Sequence, residues 1–199
     1  MKEVKICGLR TLKDIETVNE LRPDYCGFIV NFPESYRSIG TDELKKLTSA
    51  LSPEVIPVGV FVNENPEIIA SLLNDEIIKI AQLHGNEDED YIENLFDLTD
   101  GQIWQAFRVH CSDDLEPALQ SPADLVLFDA GRGSGKTFNW EILEEFPGPY
   151  ALAGGLSLQN INEALKTDAV LLDVSGGVET DGYKDYEKIK QFIRAVRDE

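Results

Sequence analysis

Glu3-Val4-Lys5-Ile6-Cys7-Gly8-Leu9-Arg10-Thr11-Leu12-Lys13-Asp14-Ile15-Glu16-Thr17-Val18-Asn19-Glu20-Leu21 reads as a strand, a turn and a helix. Glu3–Cys7 is short and mostly apolar, a glycine follows it, and Thr11 stands as an N-cap before the amphipathic run Leu12–Leu21. The same order recurs along the chain. Further strands are expected at Tyr25–Val30, Ile56–Val62, Ile78–Leu83, Ile103–Arg108, Leu125–Asp129, Tyr150–Ala153 and Val170–Asp173. Further helices are expected near Asp42–Leu51, Pro66–Leu73, Asp88–Leu95, Asp114–Leu119, Trp140–Phe146, Leu158–Leu165 and Tyr183–Val196. Thr41 and Ser157 are candidate N-caps, and Pro66 suits a first helical turn.

Strands alternating with helices imply a parallel sheet, and near-continuous apolar strands imply a sheet covered on both faces. Eight units of about 25 residues each close most simply as a single-domain (β/α)8 TIM barrel at the small end of that fold's size range. An open doubly wound sheet is the alternative. In a barrel, the loops after the strands form one face, and that face carries the chemistry.

Composition narrows the partners. Acidic residues outnumber basic ones 37 to 18 in 199 residues, a net charge of −19. Phosphate backbones want clusters of Lys and Arg, so nucleic acid is not an expected partner. No stretch is apolar enough to span a membrane, and the N-terminus has no signal-like apolar core, so a cytoplasmic protein is expected. An anionic ligand must be held by local devices such as helix N-termini, whose dipole favours an anion, and single arginines. Cys7, Cys26 and Cys111 have neither CxxC nor Cys/His spacing, so neither a disulfide framework nor a metal site is expected.

The strand ends hold the candidate site. Cys7 falls where a side chain enters the barrel mouth; it is either a small core residue or a reactive thiol. Lys5 shares its strand face and Arg10 lies in the loop beyond, two cations that would lower the pKa of the thiol if they face it. Cys26 reads as core and Cys111 as an incidental loop residue. Arg37, after strand two, is a scarce arginine that suits a carboxylate, a phosphate or a salt bridge. Gln82 and His84 close strand four beside Gly85, as ligand contacts. Asp129 ends the apolar run Leu125–Phe128 as a cap or a general acid. Gly154-Gly155 and Ser175-Gly176-Gly177 follow strands seven and eight, where backbone N–H groups recurrently bind phosphate in this fold. The expected ligand is therefore a small phosphorylated molecule. Residues 130–137 come within one residue of a P-loop, but only two strands follow, so a lid over a ligand is the better reading.

Together, Lys5-Ile6-Cys7-Gly8, Gly59-Val60-Phe61-Val62-Asn63, Gln82-Leu83-His84-Gly85, Gly133-Ser134-Gly135-Lys136-Thr137-Phe138-Asn139-Trp140, Ala153-Gly154-Gly155-Leu156 and Asp173-Val174-Ser175-Gly176-Gly177-Val178-Glu179 resemble the signature set of the phosphoribosylanthranilate isomerase family. The resemblance implies a barrel enzyme of tryptophan biosynthesis that performs an Amadori rearrangement with no metal or cofactor, as a monomer or homodimer. It implies Cys7 as general base, Asp129 as general acid and Arg37 against the anthranilate carboxylate. It also implies Gly155 and Gly177 in the phosphate turns. Three places depart from the family pattern: Gly176 where a second serine is commoner, Asn139 where aspartate is usual, and a short lid at Gly131–Gly135. The sister isomerase of histidine biosynthesis, a P-loop NTPase and a non-catalytic phosphosugar-binding module are the rival readings.

Overall fold

Strand β1, Glu3–Cys7, pairs in parallel with strands on both sides, and this closes the sheet. The computed structural model describes residues 1–129 and 140–198. The barrel strands are β1, β2 (Tyr25–Val30), β3 (Ile56–Phe61), β4 (Ile80–Leu83), β5 (Gln102–Arg108), β6 (Leu125–Asp129), β7 (Tyr150–Ala153) and β8 (Leu171–Val174). Each pairs with the next, and β8 returns to β1 with Glu3 against Leu171 and Lys5 against Asp173. The open-sheet alternative is thereby excluded. Ser38–Ile39 adds a short parallel pairing to the end of β2, and Glu179–Thr180 pairs with Tyr183–Lys184 as a hairpin beyond β8.

The helices on the outside are α1 (Leu12–Leu21), α2 (Thr41–Ser49), α3 (Pro66–Asn74), α4 (Glu89–Leu98), α5 (Glu116–Gln120), α6 (Ile161–Ala164) and α7 (Tyr186–Arg197). Thr11 caps α1 in a reciprocal capping box. Its side chain accepts from Asp14 N, and Asp14 Oδ2 accepts from the backbone N–H groups of Arg10 and Thr11. Asn65 caps α3, with Pro66 opening it as expected.

Other local expectations fail at the ends. Thr41 is the first residue of α2, and Gly40 is its cap. Ser157 caps no helix. Its N–H donates to Asn160 Oδ1, and α6 starts only at Ile161. Trp140–Glu145 forms a 3₁₀ helix rather than an α-helix. A 3₁₀ turn, Ser112–Leu115, precedes α5.

Every strand is covered on both sides, but alternation survives within it. In β1, Val4 and Ile6 join the outer core against the helices. Val58, Ile80, Trp104, Leu127, Ala151, Ala153 and Leu171 fill the barrel interior. Lys5, Gln82 and Asp173 are buried polar residues on this inward alternation. The interior is therefore apolar at its base and polar toward the C-terminal mouth. Cys26 is fully buried core, as expected, and Cys111 is exposed.

Candidate active site

Cys7 ends β1 with only 8% of its surface exposed, opposite Gly27 on β2. A Cβ on Gly27 would lie 2.7 Å from Cys7 Sγ and 3.0 Å from Lys5 Nζ. Only glycine leaves room for both side chains inside the barrel. Ser175 Oγ donates to the Cys7 carbonyl at 2.9 Å, tying the loop after β8 to the end of β1. Burial pushes the Cys7 thiol pKa up; Lys5 and Lys184 pull it down and Asp173 pushes it up, and the net direction is upward. The free site therefore holds a thiol at neutral pH. Of the two cations expected to lower its pKa, Lys5 does face it. Arg10 does not: it stacks over the Tyr36 and Tyr183 rings and donates to the carbonyls of Tyr36 and Gly182. The second cation is Lys184, in the hairpin beyond β8, which the sequence reading missed.

Asp129 ends β6, three strands from β1 around the ring through β7 and β8. His84, after β4, places Nε2 3.1 Å from Asp129 Oδ2. Burial works against a charged His84. The hydrogen bond and charge of Asp129 outweigh burial and raise the imidazole pKa. The imidazole beside this carboxylate therefore favours its charged form more than a free imidazole does. Glu87 steadies the loop by accepting from the N–H groups of Asn63 and Gly85. Gln82 lies on β4 with its Oε1 buried and without a hydrogen-bond partner among the described residues. Such an acceptor costs about 1–3 kcal/mol unless something donates to it.

Arg37 crosses over the end of β1. A Cβ on Gly8, whose φ is +82°, would stand 2.6 Å from Arg37 Cδ. The Arg37 guanidinium stacks on Tyr36 and donates from Nε and Nη2 to Glu179 at 2.8 and 2.7 Å. Those two bonds leave three of its five N–H donors for a ligand. Glu179 also accepts from Tyr36 Oη and from Lys184 Nζ, each at 2.8 Å. Burial opposes the charge of Glu179. The donors from Arg37 and Lys184 outweigh it and bring its pKa down to about 2. The residue types of Glu179 and Lys184 were visible in the sequence, but nothing local marked them as partners.

Because the Glu179 pKa is lowered from 4.5, its stabilisation is present above the ordinary carboxylate range and is lost as pH falls toward about 2. Glu179→Gln is expected to flatten this acid limb in a plot of Tm against pH. It should also raise KM, since Arg37 loses its clamp.

The two glycine turns meet. Ser157 and Gly177 form a parallel bridge, so the loops after β7 and β8 are adjacent. Gly154 and Gly155 have φ of +80° and +70°, the left-handed region that favours glycine. The expected helix-dipole support is absent: α6 has four residues, and α7 begins beyond the hairpin at Tyr186. The backbone N–H groups must act without it. The Ser175 hydroxyl is already committed to Cys7. Asp173, which in a P-loop reading would hold magnesium, is bonded through Oδ2 to Lys5. The proposed lid and the near-P-loop run, residues 130–137, and Asn139 lie outside the described residues. Among the described residues no cluster of three metal-ligating side chains occurs, and no helix is long and apolar enough to cross a membrane.

Known proteins are similar to this chain along its whole length. The family model described as N-(5'phosphoribosyl)anthranilate (PRA) isomerase matches residues 4–195. N-(5'-phosphoribosyl)anthranilate isomerase of Thermoanaerobacter pseudethanolicus is 44% identical, over 99% of this chain and 98% of its own. The crystal structure of phosphoribosyl anthranilate isomerase from Thermotoga maritima is similar over the whole of both chains, with TM-score 0.89 and 33% identity. A phosphoribosyl anthranilate isomerase in complex with reduced 1-(o-carboxyphenylamino)-1-deoxyribulose 5-phosphate matches equally fully, with TM-score 0.88 and 32% identity. With the barrel and these full-length matches in agreement, the chain belongs to the N-(5'-phosphoribosyl)anthranilate isomerase family.

Proposed function

We propose that this chain converts N-(5'-phosphoribosyl)anthranilate to 1-(o-carboxyphenylamino)-1-deoxyribulose 5-phosphate, with Cys7 as general base and the Asp129–His84 pair as general acid. One observation carries the reading: the turns at Gly154-Gly155 and Gly176-Gly177 lie between the strand of Asp129 and the strand of Cys7. A sugar anchored there by its 5-phosphate presents one side to each group. Arg37, on the far side of Cys7, meets the anthranilate carboxylate with its free N–H groups.

The chemistry follows from these positions. Protonated Asp129 gives its proton to the furanose ring oxygen, and the bond from that oxygen to C1' breaks. The amine nitrogen supplies the electron pair, leaving a protonated Schiff base. That cation acidifies the hydrogen on C2'. A Cys7 thiolate removes it, and the electrons flow toward nitrogen to give an enolamine. Tautomerisation to the ketone returns a proton to C1'. Each positioned proton transfer contributes about 10²–10⁴-fold. The buried Gln82 Oε1 suits a donor hydroxyl of the sugar. The enzyme would work in the cytoplasm, as a monomer or homodimer.

The test is turnover of the purified chain on this aminoaldose, with product identified by chromatography and a metal chelator present throughout. Turnover is expected. Absence of turnover by folded protein, or turnover only of the histidine-pathway aminoaldose, would overturn the assignment.

A further inference from the structure

A buried charge pair lies under the proposed base, and the proton transfers above do not use it. Lys5 is fully buried, and its Nζ lies 2.7 Å from Asp173 Oδ2. Apolar side chains such as Val58, Ile80, Leu127 and Leu171 fill much of the barrel interior, and a well-packed apolar pair is often at least as stable as a buried ion pair. Stability alone does not account for the pair. Asp173 Oδ1 is buried with no hydrogen-bond partner among the described residues, so the carboxylate is only half satisfied. The Lys5 ammonium and the Cys7 sulfur both border the small space that Gly27 leaves open.

We infer that Lys5 is a positioning residue for the isomerisation: clamped by Asp173, it holds its ammonium against the Cys7 sulfur and favours the thiolate that the base step needs. This rests on the reading of Cys7 as the base. The physical argument is one of distance and desolvation. In a site closed to water, a thiolate needs a fixed cation beside it. Lys5 stays charged although burial opposes it, because Asp173 and the sulfur favour its ammonium form. Asp173 partly cancels the field of Lys5, but the nearer cation acts on Cys7 more strongly. The other titratable groups near enough to feel the charge of Cys7 are Cys26, on the outer face of β2, Arg37 in the loop after β2 and Lys184 in the hairpin after β8. Arg37 and Lys184 share one carboxylate, Glu179, in the loops, whereas Lys5 stands on the strand of Cys7 itself and acts on the thiol more strongly than Lys184 does.

The experiment titrates the thiol itself. Iodoacetamide alkylation of the Cys7 peptide, followed by mass spectrometry from pH 6 to 11, separates it from exposed Cys111 and buried Cys26. Lys5→Met leaves Asp173 buried and unpaired and is expected to be destabilised. The neutral double variant Lys5→Met/Asp173→Asn avoids that penalty. In the double variant, alkylation at a pH below the titration midpoint should slow about ten-fold, a midpoint shift of about one unit. The limb of kcat/KM against pH that reports the thiol should move upward with it, which a merely structural role would not produce. An unmoved thiol titration in folded double variant overturns the inference whatever happens to activity. A shifted titration with an unmoved rate profile overturns it too, and shows that Cys7 is not the base. Full turnover by Cys7→Ala removes the base reading and with it the catalytic role of Lys5, while the thiol titration still reports whether Lys5 acts on the sulfur.

Discussion

Cys7→Ala and Asp129→Asn are each expected to lower kcat by about 10²–10⁴-fold, the usual worth of one positioned acid or base, with KM changed far less. The split follows from where binding resides. Phosphate is assigned to the turns after β7 and β8 and the carboxylate to Arg37, and neither variant touches those groups. Asp129→Asn keeps the size of the side chain and its contact with His84, but the amide carries no acidic proton. Cys7→Ala removes only the sulfur at a position that is 8% exposed, next to the space left by Gly27. Combining the two should cost less than the product of the single losses, because a step that lacks its acid gains little from its base. Steady-state kinetics with a circular-dichroism check of folding decides the matter. Near-wild-type kcat in either folded variant would remove that residue from the mechanism.

Gly177→Ala is expected to damage binding and folding together. A Cβ there would lie 1.9 Å from the carbonyl oxygen of Leu156 and 2.9 Å from Ser157 Cα. Both are backbone atoms, so no side-chain rotation relieves the clash. The loops after β7 and β8 must move apart and break the Ser157–Gly177 bridge. Overpacking of this kind costs about 1–3 kcal/mol. If those loops form the phosphate site, KM should rise at least ten-fold, a loss of about 1.4 kcal/mol of binding. Gly155→Ala is the informative comparison. Nothing lies within 4 Å of the added Cβ, so only the φ of +70° opposes it. That strain costs about 1–2 kcal/mol without forcing the loops apart. A larger rise in KM for Gly155→Ala than for Gly177→Ala would contradict the bridged-turn picture.

Several features were legible in the residues. Glu3–Cys7, Tyr25–Val30, Leu125–Asp129 and Tyr150–Ala153 are strands with the expected ends. Their apolar runs are bounded by Gly, Asn or charged residues, and that signal is local. The Thr11 cap was legible because its box partner lies three residues away. Thr41 and Ser157 have the right chemistry for caps, but position decides capping. Gly40 leads into α2, and the loop after β7 turns through Asn160 before α6 begins. Trp140 and Leu143 are buried as a core-facing helix requires, yet the segment winds as a 3₁₀ helix, which shares most of the same local pattern.

From the sequence alone came the order of strands and helices, the end of the barrel that carries the chemistry, and the residue types at each strand end. Side-chain periodicity and turn chemistry act over a few residues and need no knowledge of closure. Tertiary structure decided which polar atoms meet. Lys5 finds Asp173 at a separation of 168 residues, Arg37 finds Glu179 at 142, and His84 finds Asp129 at 45. The first two contacts exist because β8 returns to β1 and closes the ring, the third because β4 and β6 flank β5, and no local pattern encodes those registers. The protonation of Cys7 belongs to the same level. A cysteine at a strand end is a thiol or a thiolate according to burial and nearby charge, and both are set by neighbours that only the closed barrel brings together.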